Sequence, residues 1–435
     1  MKDDGLRKKA LEVMINVIDE NHFIDSAIKL VKLNNLDDRA FLNMITLTCF
    51  RNMTFLDNCL IKYLDKPIKK KNIEAKYVLY LAMTEMLFLN TPDYAVIDSY
   101  VKIMSIGKNS FMKNLANAVL RKICDDKEKL LKKAAKSIAV SPWLADEMKK
   151  DYGIEEFRKT NKILYNQAPL DITVKSFKDS WAEELGGIVL PNNSIRLEKY
   201  GKITKLEGYE NGEWWVQDFA ASLAVTALGD IEDKNVLDIC AAPGGKTCQL
   251  AQAGANVTAI DISENRLKRL EENIDRCDFR DIEVINQDAL TWIEENQDRK
   301  FDIILLDAPC SATGTMRRHP ELSHLKDFSD IENQANLQKQ FLNNIDKILA
   351  KDGILIYCVC SVSKVEGEKQ IAEFLENSSK FQQIKIKEIE INELKDYDLS
   401  KLINEEGSIR TLPHHLSEIG GMDSFFIAKL QKVED

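Results

Sequence analysis

Over residues 1 to about 140 the apolar positions recur three and four apart, the spacing of one helix face. In DDRAFLNMITLTCFRNM an Asp at the N-cap precedes Leu42, Ile45 and Cys49. IEAKYVLYLAMTEMLFL is apolar on nearly every face, as the central helix of a bundle is. NTPDY then reads as a turn and FMKNLANAVLRKI as a further helix. This rhythm predicts an all-α bundle over 1–140. In SPWLADEMKKDYG, Ser141 is placed to cap a helix, Pro142 to open it and Gly153 to stop it. DITVKSF, GGIVL and EWWVQD follow as short strand-like pieces, which predicts a small α+β module over 141–215. From about residue 216 strands alternate with amphipathic helices: NVLDICAAPGGKT, ANVTAIDIS, IEVINQDAL, FDIILLDAPC and GILIYCVCS. Apolar, parallel-type strands with helices between them predict a doubly wound, Rossmann-like α/β domain over 216–435. The expected fold class is therefore multidomain.

Charge sharpens this division. The chain carries −10 overall, but residues 1–140 hold 24 Lys and Arg against 17 Asp and Glu, a net of +7, which leaves −17 on the rest. A basic bundle ahead of an acidic body suits a polyanionic partner, although solvated faces alone give the same imbalance. A hydrophobic content of 44% with 30% charged residues fits a soluble globular protein. MKDDGLRKKALEV has no apolar leader core, and no run reaches the ~18 residues of a membrane span, so a cytoplasmic location without membrane attachment is expected. Nine cysteines at irregular spacings read as free thiols. Cys358 and Cys360 form a CxC with no second pair or histidine cluster at zinc spacing, so no metal is expected.

The α/β region holds the candidate chemistry. Its first strand delivers Cys240, Ala241, Ala242, Pro243, Gly244, Gly245 and Lys246 to a strand-to-helix turn, where paired glycines let a ligand approach backbone amides. The spacing is not GxGxxG, which disfavours NAD. Asp261 ends the second strand, placed for ribose hydroxyls, and Asp288 follows the third, placed for an adenine edge. This ordered set is the layout of an S-adenosylmethionine site. The fourth and fifth strands end in Asp307 with Cys310, and in Cys360. Neighbouring parallel strands lie roughly 5 Å apart, so these three side chains should converge at the cofactor crevice. One buried cysteine is normally a small apolar filler, but two at corresponding strand ends, one beside an aspartate, point to chemistry. Cys358 alternates to the other face and reads as core.

Methylation of cytosine at carbon 5 needs such a set. That carbon is a poor nucleophile until a thiolate adds to carbon 6, and an acid at N3 stabilises the charge that develops. A free thiol with a pKa of about 8.5 needs local activation, for which Lys246 is a candidate. DICAAPGGKT, DAPCSATGTMRRHPE and YCVCS resemble the motifs of the RNA 5-methylcytosine methyltransferases. RAFLNMITLTCFRNMTFLD, TPDYAVIDSYV and NAVLRKI resemble a NusB-like RNA-binding bundle, an order of domains similar to that of the bacterial small-subunit (16S) ribosomal RNA branch of the family.

The resemblance implies that Cys360 is the nucleophile, that Cys310 serves product release, and that Asp307 meets the pyrimidine and borders the cofactor. It implies S-adenosylmethionine on Cys240 through Lys246, Asp261, Asp288 and Asp307, and ribosomal RNA or an assembling small subunit as partner of a monomer. Val359, Ser424 and Ala118 depart from residues common in the family (Thr, Gly and Gly), and none removes a catalytic group. Arg317, Arg318 and His319, next after the active-site loop, are candidates to hold phosphates around a flipped-out base. A transfer-RNA cytosine methyltransferase shares the catalytic motifs and stays open as an alternative. So does a non-catalytic NusB-like RNA-binding or assembly factor, although keeping Asp307, Cys310 and Cys360 together argues against it.

Overall fold

The computed structural model describes residues 4–33, 36–391 and 397–434. The chain forms two compact units, one of residues 1–166 with 316–327 and the other of 167–315 with 328–435.

The first unit is helical. Ile73–Phe88 is its central helix, and Ala75 and every residue from 77 to 87 are buried. Around it run Asp4–Ile18, Leu36–Arg51, Met53–Tyr63, Asp93–Met104 and Lys113–Asp125, whose apolar stripes meet in one core. Leu42, Ile45 and Cys49, the stripe read from the sequence, are fully buried. Within this core the Arg7 guanidinium grips Glu85 with two hydrogen bonds of 2.9 and 2.7 Å, and the Tyr100 hydroxyl donates to the same carboxylate at 2.7 Å. The helix Pro142–Leu164 is interrupted at Gly153, whose φ of 83° is open to glycine and costly for other residues. The chain then resumes its helix, so Gly153 breaks the element without ending it. Asn161 of that helix donates to the Ser137 carbonyl and accepts from the Ala139 amide, which ties the helix to this unit rather than to the α+β module expected over 141–215.

Residues 316–327 also belong to the helical unit. Glu321, fully buried, accepts from the Ile24 amide at 3.1 Å, and the Arg317 carbonyl accepts from Arg51 at 3.0 Å. His324 lies 3.2 Å from the Phe50 carbonyl, and burial lowers its pKa to about 4. Ser323 accepts at its carbonyl from the Trp143 indole at 3.0 Å.

The second unit contains two sheets. A small antiparallel one is built from β1 (Leu170–Val174), β2 (Ile188–Val189), β3 (Ser194–Leu197) and β4 (Trp214–Val216), in the order β2-β3-β1-β4. The large sheet contains β5 (Asn235–Ile239), β6 (Asn256–Asp261), β7 (Glu283–Asn286), β8 (Phe301–Asp307), β9 (Leu349–Val359), β10 (Phe381–Ile384), β11 (Ile409–Arg410) and β12 (Phe426–Lys432). Its order is β10-β12-β9-β8-β5-β6-β7, with β11 paired to β12. β5 to β9 are the five strands expected, and all pair in parallel. β12 runs antiparallel to β9 and extends the sheet beyond what the alternating pattern foretold. Helices on both faces bury the Val, Ile and Leu of the central strands. Among the described residues no helix is long and apolar enough to cross a membrane.

Candidate active site

The order reverses beside β5, and the C-terminal ends of β5, β6, β8 and β9 open on one edge, where a doubly wound sheet binds ligands. The turn after β5 starts at Cys240, with φ of 62°, and passes through Gly244 at 99° to the helix Gly245–Gln252. A Cβ on Gly244 would meet Leu270 Cγ at 3.0 Å, so conformation and space both favour glycine there. Asp261 is 2% exposed at the end of β6, accepting from the Ala242 amide at 3.2 Å and the Ser263 amide at 2.9 Å. Its carboxylate thereby holds the glycine turn against β6. Asp288 caps the helix Ala289–Glu295, accepting from the Thr291 amide and hydroxyl, each at 2.9 Å.

The β8–β9 register sets Asp307 opposite Cys358. Just beyond, the Sγ atoms of Cys310 and Cys360 lie 3.2 Å apart, both partly exposed. Lys246 Nζ pairs with Asp307 Oδ2 at 2.9 Å and sits 5.1 Å from the centre of the Phe425 ring. Burial opposes the charge on Lys246, but the Asp307 carboxylate and the Cys358 and Cys360 thiols outweigh it and raise its pKa. The hydrogen bond to Cys360, together with burial, pushes the Cys310 pKa well up, and either sulfur can be the donor of the pair. Cys358 is fully buried as expected, yet its Sγ also lies 3.5 Å from Asp307 Oδ1.

Two further carboxylates escaped the sequence reading. Glu366 is fully buried; it accepts from the Ser311 amide at 2.8 Å, the Ser311 hydroxyl at 2.6 Å and the Ser361 hydroxyl at 2.5 Å. It therefore ties the residue after each cysteine to one anchor. Gln338 Nε2 closes the anchor at 3.2 Å. Gly314 completes the seam: its amide donates to the Cys360 carbonyl at 2.9 Å, and an added Cβ would stand 2.0 Å from the Ser424 carbonyl oxygen. The Ser424 hydroxyl donates to the Thr411 carbonyl, which gives this departure from glycine a buried partner. Asp238 on β5 accepts from the Thr247 hydroxyl at 2.6 Å, while its Oδ1 has no hydrogen-bond partner among the described residues. Burial raises its pKa to about 7.

Arg317, Arg318 and His319 belong to the helical unit, within residues 316–327. Arg317 is 1% exposed, which is not how a side chain awaiting a phosphate is held, whereas Arg318 and His319 are partly exposed.

A glycine turn against a buried strand-end acid, further acids on neighbouring strands and an unsatisfied Asp238 oxygen fit a ligand of mixed polarity, and the fold is that of an S-adenosylmethionine-dependent methyltransferase. The chain belongs to the RsmB/F family of 16S rRNA methyltransferases: that family's model matches residues 225–431, and the model of the NusB family matches 5–125. It is 31% identical over 448 residues to the ribosomal RNA small subunit methyltransferase B of Serratia proteamaculans, covering 99% of each chain. It is also 31% identical to that of Yersinia enterocolitica, covering 86% of this chain and 91% of the relative. Among solved structures, PH0851 covers 98% of each chain at a TM-score of 0.73 and 22% identity. NSun6 from Pyrococcus horikoshii with SFG covers 68% of this chain and 99% of its own at 0.57 and 22%.

Proposed function

We propose that this methyltransferase modifies carbon 5 of a specific cytosine in small-subunit ribosomal RNA through a covalent bond between Cys360 and carbon 6. The observation that carries this reading is the pair of thiols at 3.2 Å beside the Lys246–Asp307 pair at 2.9 Å. A methyltransferase acting on an exocyclic amine has no use for two such thiols. The names of the full-length relatives and the NusB match support ribosomal RNA as the substrate.

S-adenosylmethionine, when bound, supplies the electrophilic methyl group. The turn from Cys240 to Lys246, Asp261 and Asp288 would hold it, with Asp307 at the border between cofactor and base. The Cys360 sulfur adds to carbon 6 while Cys310 retains its proton. Asp307 and the Lys246 ammonium meet the N3 edge, where negative charge grows as the ring becomes an enamine. After transfer a base takes the proton from carbon 5, the C–H electrons re-form the double bond between carbons 5 and 6, and the Cys360 sulfur leaves as a thiolate, with Cys310 serving that release.

The test is a denaturing gel of the protein with its RNA and S-adenosylmethionine. Cys310→Ala should give a slow-migrating RNA adduct and Cys360→Ala none. If neither variant traps RNA while the wild type methylates it, the thiol mechanism is wrong.

A further inference from the structure

We infer that the Cys310–Cys360 pair is also a modification site, a dithiol that a hydroperoxide converts to a disulfide and so switches methyl transfer off reversibly. The inference stands on geometry. The two sulfurs are already in contact at 3.2 Å, and a disulfide needs about 2.05 Å. Each cysteine follows the end of a strand of one sheet, and each is followed by a serine hydrogen-bonded to Glu366. The loops are therefore held together, with a short closing distance left to the side chains. Both residues are partly exposed, as a site open to a base must be, so a small peroxide reaches them. The contrast lies in the same unit. Cys248 and Cys277 are also hydrogen-bonded neighbours, but both are fully buried and offer an oxidant no approach. Cys358 is likewise buried and faces Asp307.

The chemistry balances with hydrogen peroxide as oxidant. The Cys360 thiolate attacks one peroxide oxygen, the O–O bond breaks, and the departing hydroxide takes up a proton as water, leaving a sulfenic acid on Cys360. The Cys310 sulfur attacks the sulfenic sulfur. The S–S bond forms, the S–O bond breaks, and a second water leaves with the Cys310 proton. Two thiols lose two electrons and one peroxide becomes two waters. A dithiol reductant reverses the reaction by exchange. Cys310 thereby protects Cys360, because a sulfenic acid with a neighbouring thiol closes to a disulfide before it is oxidised irreversibly.

The experiment treats the full chain, without RNA or cofactor, with hydrogen peroxide. Remaining thiols are then blocked with N-ethylmaleimide and the peptides mapped. The expected result is a peptide pair joined through Cys310 and Cys360 and lighter by two hydrogens. Methyl transfer should fall at least ~tenfold and return with dithiothreitol. In Cys310→Ser the map should instead show sulfinic Cys360 that dithiothreitol does not restore. A wild-type map with both cysteines carrying N-ethylmaleimide, or with sulfinic Cys360 and no joined pair, overturns the inference. The map is read without substrate, so its outcome is independent of whether cytosine is the target.

Discussion

The helical unit and the catalytic unit each bury charged groups, but they finish them differently. In the bundle, Arg7 and Glu85 are 5% and 1% exposed at their side chains. The Glu85 carboxylate is further held by Tyr100, and the Arg7 guanidinium donates to Ser99 at 3.2 Å. That set closes on itself. In the catalytic unit, Lys246 is 10% exposed but its partner Asp307 is 30% exposed, and Asp238 keeps an oxygen without a partner among the described residues. This set is not closed by the chain's own groups. A closed polar cluster fixes how helices pack, whereas an open one keeps capacity for something that arrives. Glu366 lies between the two kinds. It is closed by the chain's own donors, yet what it closes are the two loops that carry Cys310 and Cys360.

The largest effect expected from this contrast is on the closed side. Glu85→Ala leaves the Arg7 guanidinium buried without its main counter-charge and should lower stability by about 3–5 kcal/mol. Denaturant unfolding followed by far-ultraviolet circular dichroism measures it. A loss below about 1 kcal/mol would mean that the pair is not the closed structural unit described. Next comes Glu366→Gln, which keeps the shape but replaces an acceptor with a donor facing Ser311 or Ser361. Methyl transfer should drop roughly ten- to hundredfold in kcat with KM for the cofactor little changed, because the thiols, not the glycine turn, lose their anchor. Equal loss in kcat and cofactor affinity would show general unfolding of the crevice instead.

Much of this was legible in the sequence because it depends on local pattern. Apolar runs of strand length that end in Asp261, Asp307 and Cys360 put those side chains at strand ends before any pairing is known. Apolar residues on nearly every face of Ile73–Phe88 mark a helix buried on all sides. What was not legible depends on contacts between distant segments. Glu366 sits in KVEGEK, where no local pattern marks a buried acid; its burial requires that Ser311 and Ser361 converge. TGTMRRHPELSHL reads as a polar continuation of the active-site loop, yet Glu321 finds the Ile24 amide 297 residues away and joins the helical unit. β12 lies outside the strand–helix alternation, so its antiparallel place beside β9 had no periodic signal. The boundary expected near 140 failed for the same reason: the capping residues at Ser141 and Pro142 announce a helix but not which unit it packs on.

The smallest effect tests the open side through pH. Burial holds the Asp238 carboxyl at about 7 against an ordinary 3.8, the Thr247 hydroxyl pulling it down and the Asp307 and Asp261 carboxylates pushing it up against Lys246. Between about pH 4 and 7 the folded protein therefore binds a proton that the unfolded chain has released. Stability must fall as pH rises through that window, by up to about 1.4 kcal/mol per pH unit. Asp238→Asn cannot ionise and should lose this slope while keeping a neutral acceptor for Thr247. Urea midpoints of wild type and variant, compared at about pH 5 and pH 7 without cofactor, decide the matter. If both proteins lose stability in parallel, the slope belongs to other groups and Asp238 does not titrate across this window.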